Sequence, residues 1–160
     1  MATNSRASTA RSAGPGGGLH APAGAGPRWE ARFGIGGGGL RVIDAARGIQ
    51  DGSAWWRARE AIDWVGSQSQ RKGYASARTA IRDERPAATP QADAMARLVD
   101  AHLARLRDGA TRSLAGLWEG LDNAEVAERE SITASANSQR VLGNDLRPLH
   151  DAMLALTTLP

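Results

Sequence analysis

Residues Phe33 to Val42 read FGIGGGGLRV, and Gly34, Gly36 and Gly39 within them repeat the spacing G-x-G-x-x-G. At the first turn of a parallel α/β sheet, that spacing seats a dinucleotide pyrophosphate against a helix N-terminus. The chemistry requires a buried strand ahead of the glycines and further parallel strands beside it. Here the preceding stretch alternates Arg28, Glu30 and Arg32 with Trp29, Ala31 and Phe33, a half-exposed strand at best. Nowhere does a run of roughly four to eight Val, Ile, Thr and aromatic residues stand between turn signals. The Gly-Lys-Ser/Thr ending of a phosphate-binding loop is missing as well. The sequence therefore predicts an all-α fold with no cofactor, in which Gly36 to Gly39 form the hinge between a mobile arm and the first helix.

Outward from that hinge the two directions differ. Of the 19 glycines, 11 lie between Gly14 and Gly39, interspersed with Pro15, Pro22 and Pro27. Such a stretch cannot bury enough apolar surface to offset its ordering entropy, so residues 1–39 are expected to be a flexible arm. Residues 40–160 are expected to be an irregular helical bundle with a linker near residues 86–90. Leu40, Ile43 and Ala46 or Arg47 share a helical face, giving a short helix that Gly52 stops. Ser53 caps a second helix on which Trp55, Ala58, Ile62 and Val65 recur at steps of three and four, and residues 67–86 continue or restart it up to Pro86.

Thr89 then reads as an N-cap with Pro90 at the first helical position. Ala92, Met95, Val99, Leu103, Leu106, Ala110, Leu114, Leu117 and Leu121 follow in steps of three or four. That is one long amphipathic helix, or two pieces that break around Gly109. The pattern weakens through Val126 and Ile132 and breaks at Gly143 to Asp145. A last helix near Leu146 to Leu156 turns Leu149, Met153 and Leu156 inward.

Composition excludes several function classes. There is no cysteine, hence no disulfide, thiolate metal site or cysteine nucleophile. No apolar run approaches a membrane span, and no Sec signal is legible, so the expected location is soluble, cytoplasmic or within an assembled particle. His20, His102 and His150 are far apart in sequence, which predicts no metal site, and no G-x-S-x-G elbow accompanies His150 and Asp151. Glu125, Glu128 and Glu130 read as a solvated helix face. No catalytic residue is predicted, and the chain reads as a non-enzyme.

Charge is unevenly divided: residues 1–82 carry 12 bases and 5 acids, residues 83–160 carry 8 bases and 12 acids. Such a division suits an anionic partner at one end or head-to-tail contact between copies. Arg57, Arg59, Arg71, Lys72, Arg78 and Arg82 are the candidate phosphate contacts if nucleic acid is the partner. Trp55, Trp56, Trp64 and Trp118 are the candidate interface anchors, because large aromatic residues dominate binding hot spots. The preferred expectation is a structural subunit that packs with copies of itself or with partners in a larger assembly such as a virion or filament. A small basic-armed nucleic-acid-binding protein is the alternative.

Trp64-Val65-Gly66 and Trp118-Glu119-Gly120 resemble the W-x-G turn of the small helical-hairpin substrates of type VII secretion. Trp118 to Asp122 is similar to their Y-x-x-x-D export signal, with tryptophan in place of the tyrosine. The resemblance covers these few residues and implies a secreted helical hairpin.

Overall fold

The computed structural model describes residues 31–85 and 89–159; residues 1–30 of the arm expected over 1–39 and most of the linker lie outside the described residues. The elements in chain order are β1 (Phe33–Gly37), β2 (Arg41–Asp44), β3 (Ile49–Asp51), α1 (Ser53–Gln68), β4 (Thr79–Asp83), α2 (Thr89–Leu103), α3 (Asp108–Trp118), α4 (Asn123–Arg129), α5 (Ala134–Gly143) and α6 (Leu146–Thr157). The protein is mostly helical, yet it is not all-α. β1 and β4 pair in parallel, Phe33 opposite Thr79 and Ile35 opposite Ile81, and β2 pairs antiparallel with β3.

Of the glycines taken for a hinge, Gly36 and Gly37 belong with Gly34 to strand β1, and the cause is packing. A Cβ on Gly34 would stand 2.5 Å from the carbonyl oxygen of Ala58 and 2.7 Å from the amide nitrogen of Ile62, and one on Gly36 would crowd the Ala54 carbonyl more closely still. α1 lies directly on this strand because neither residue has a side chain. Its own contact stripe is small to match, with Ala54 and Ala61 buried, and Ala61 and Val65 close over Ala80 of β4. Two of the three glycines of G-x-G-x-x-G thus serve helix-on-strand contact. The third, Gly39, donates its N–H to Ser53 Oγ at 2.9 Å and to Glu84 Oε1 at 3.3 Å. A carboxylate therefore occupies the start of α1, where a pyrophosphate would have to sit. Ser53 makes no side-chain cap; its hydroxyl donates to Glu84 Oε1 instead.

The helix expected from Leu40 to Gln50 is the β2–β3 hairpin. Asp44 Oδ1 accepts from the amides of Ala46 and Arg47, and Gly48 takes the left-handed conformation at φ 66. Turn chemistry of that kind overrides a spacing that fits a helix by coincidence. Residues 69–78 leave helical geometry, and β4 replaces the expected continuation of α1.

On the other face of the small sheet, α2 sets Ala92 and Ala96 against Ile81. It also seals the outer edge of β4. Asp93 Oδ1 accepts from Ile81 N–H at 2.9 Å, and Asp100, two turns on, accepts from the amides of Arg78 and Thr79 at 2.7 and 2.6 Å. The Thr79 hydroxyl donates to the second Asp100 oxygen at 3.1 Å. Burial raises the Asp100 carboxyl above its ordinary value, against the opposing pull of the Arg78 and Thr79 donors.

An acid whose folded value is raised stabilises the fold most when protonated. That contribution falls as pH rises through the raised value. Asp100→Asn removes the titration but keeps one acceptor. The stability difference between the variant and the parent should therefore move in favour of asparagine from acidic to neutral pH, read by urea unfolding. Asp100→Ala strands two backbone donors and should cost about 2–4 kcal/mol. A difference between parent and Asp100→Asn that does not change with pH would contradict the first expectation.

α2 also joins the sheet to the helical half. Val99 enters a second core with Leu114, Val141, Leu146 and Leu149, and Leu103, Leu106 and Leu117 pack against it. The expected long helix is two: α2 ends at Leu103, and α3 starts at Asp108, just ahead of Gly109. α6 follows expectation, with Leu149 buried. Of the two W-x-G matches, Trp64 to Gly66 lie inside α1, whereas Trp118 to Gly120 end α3 and turn toward α4, with Gly120 left-handed at φ 79; the β1–β4 pair is no part of a simple helical hairpin. Among the described residues, no helix is long and apolar enough to cross a membrane.

Candidate nucleic-acid interface

α3, α4 and α5 form a unit whose connections are specified residue by residue. Asp122 opens α4 with a capping box: its carboxylate accepts from the amides of Ala124 and Glu125, and the Glu125 carboxylate accepts from the Asp122 amide at 2.7 Å. Four residues, 130–133, connect α4 to α5, and Ser131 within them adopts the left-handed conformation at φ 54. Thr133 caps α5 by accepting from the Ala136 amide at 3.1 Å. Two short helices are thus joined by a four-residue turn, and the second is braced by α3 as well as by α4.

The bracing is polar and, at Ser113 and Asn137, buried. Asn137 of α5 donates to Asn123 Oδ1 at 3.0 Å and accepts from Ser113 Oγ of α3 at 2.7 Å. Asn123 in turn donates to the Ala134 carbonyl at 3.0 Å. Ser113, Asn123 and Asn137 lie on α3, α4 and α5 in turn, so the network sets how α5 is held against α3 and α4. Around it, Val126 and Ala127 are buried, and Val126 closes on Gly116, where any Cβ would collide. Glu130 takes ion pairs from Arg112 and Arg140, at 2.5 and 3.6 Å, and Glu119 pairs with Arg129 at 2.5 Å.

What α5 turns outward follows from what it turns in. With Asn137 and Val141 buried, Ala134, Ser135, Gln139 and Leu142 are exposed. The helix carries no acid. Its first turn therefore presents the small side chains of Ala134 and Ser135 together with the positive end of the helix dipole, and Gln139 follows one turn on. Arg107, which precedes α3, and Arg147, in the first turn of α6, are exposed cations of the same half. Chemically, such a helix can donate to and accept from base edges, and its N-terminus favours an anion.

The residues singled out by sequence are distributed otherwise. Arg57 pairs with Glu60 at 2.9 Å, and Arg82 bridges Glu60 and Asp93 at 3.7 and 3.1 Å. Arg71 donates to Gln68 Oε1, and Arg78 to the carbonyls of Ala75 and Ala77. Arg59 and Lys72 are exposed. The Arg82 and Arg97 guanidiniums each stand 5.2 Å from the centroid of the Trp64 ring, which meets Tyr74 edge-on. Trp55 is half-buried with an indole N–H that finds no acceptor, and Trp56 is 72% exposed. Trp118 stacks edge-on with His150 of α6, in the other half of the molecule.

The α4–α5 unit escaped sequence reading, although Asp122-x-x-Glu125 is a capping-box signature and Thr133 a legible cap. Its turn uses serine where glycine would have announced a left-handed residue. No protein-family model, curated protein or solved structure matches this chain.

Proposed function

We propose that the chain is a non-enzymatic DNA-binding protein that lays α5 in the major groove of a duplex. The observation that carries this reading is the α3–α4–α5 unit, with its left-handed Ser131 turn and an acid-free α5 that exposes Ser135 and Gln139. In a helix-turn-helix the second helix reads base edges through its N-terminal residues while the first crosses the sugar-phosphate backbone. Ser135 and Gln139 would then face bases, and Arg107 and Arg147 phosphates. The test is fluorescence anisotropy of a labelled random-sequence duplex over a range of salt. Binding should weaken by about tenfold or more between 50 and 200 mM salt, as released counterions require. Absence of binding at the lowest salt would defeat the reading.

Glu128, exposed on α4, opposes any such contact. Glu128→Gln should therefore tighten binding, by about threefold at low salt, and the gain should fade as salt screens the charge. The packing subunit expected from composition stands as the second reading, favoured by the exposure of Trp56 and of Leu98, at 72% and 71%. A sedimentation coefficient that does not change with concentration, with no partner recovered, would remove it.

A further inference from the structure

The two outer edges of the parallel sheet are treated in opposite ways. β4 has its outward amides capped by Asp93 and Asp100, whereas β1 has no neighbour on its outer side among the described residues. Because Phe33 accepts its register from β4 through the bond from its amide to the Arg78 carbonyl, alternation turns the amides and carbonyls of Gly34 and Gly36 outward. Phe33 and Ile35 project to the face away from α1 and remain 42% and 40% exposed. Parallel strands are ordinarily buried on both faces, so a bare edge with exposed apolar residues is unfinished.

α1 overhangs that edge. With Ala58 over Gly34 and with Ala61 and Val65 over β4, the helical period places Trp55, Arg59 and Gly66 on the far side of β1. The Arg32 guanidinium reaches the same place, lying near Gly66. We propose that the outer edge of β1 is a docking site for an extended strand of another polypeptide, apolar on the Phe33 and Ile35 side and acidic on the Arg32 and Arg59 side.

Two other occupants fit poorly. A second copy pairing through β1 would set its α1 on the same face and bring the Arg32 and Arg59 cations of both copies to one seam, like charge against like. Residues 1–30 contain six glycines and three prolines, with Leu19 and Trp29 as their large apolar residues beyond Met1, and cannot supply alternating apolar positions. A strand from a partner adds main-chain bonds to Gly34 and Gly36 and takes its specificity from alternate side chains.

The probe is a synthetic octapeptide of alternating glutamate and valine, acetylated and amidated, added to the whole chain while amide exchange at Gly34 and Gly36 is followed by NMR. In the free protein both amides should exchange rapidly, and the peptide at about 1 mM should slow them by about tenfold or more. The corresponding lysine-valine peptide should do less, and Arg59→Glu should reverse that preference. The proposal is overturned if the two amides are already slow without peptide, if the glutamate peptide leaves them unchanged, or if Arg59→Glu leaves the order of the peptides as it was.

Discussion

Replacing Ser135 and Gln139 together by glutamate is expected to weaken duplex binding by about 100-fold without changing the unfolding midpoint. Both side chains are exposed, and neither takes part in the Asn137 network that holds α5 in place. The loss follows from two carboxylates brought against base-edge acceptors and flanking phosphates, each at about 1–3 kcal/mol. Stability is spared because Ser135 lies in the first turn of α5, where a negative charge suits the helix dipole. Anisotropy titration and urea unfolding of the same preparation separate the two quantities. A variant that binds as tightly as the parent would remove α5 from the interface.

The largest stability effect is expected in β1. Gly36→Val forces a branched side chain into the backbone of α1 at Ala54, and a rigid carbonyl cannot give way as a flexible side chain can. The expected cost is about 3 kcal/mol or more, because α1 must lift off the strand and open the Ala61, Val65 and Ala80 cluster. Gly39→Ala is the matched control within the same run of glycines. A Cβ there meets only Ser53 Oγ at 3.8 Å, so its effect should stay within about 0.5 kcal/mol. Equal effects at the two positions, measured by urea or thermal unfolding, would contradict the packing role of β1.

That contrast also explains how much of the fold was legible in the sequence. α1, α2, α3 and α6 could be read because each buries one stripe of a helix, and Leu149 and Val99 face where the period places them. β1 was hidden because glycine signals flexibility in isolation; its meaning here lies in the proximity of Ala54 and Ala58, which no local pattern records. β2 and β3 were hidden by a chance spacing of Leu40 and Ile43, and the outcome was decided by Asp44 and Gly48 at the turn. β4 is short, and its edge is completed by carboxylates from α2, a contact between distant segments.

For the candidate interface, the basic residues drew attention by charge, yet Arg57 and Arg82 are committed to ion pairs with Glu60 and Asp93. The α5 face offers little charge to notice. Its interest comes from the helices that hold it, which become visible only once Asn123, Ser113 and Asn137 are seen to meet.

The most direct measurement is an NMR titration of the whole chain with a random-sequence duplex, following every assigned amide. If α5 is the reading helix, the earliest and largest changes fall on Thr133, Ala134, Ser135 and Gln139, with smaller ones at Arg107 and Arg147. Changes confined to Arg57, Arg59, Arg71 and Lys72, with α5 unmoved, would contradict the major-groove role and return the contact to the basic half of the chain.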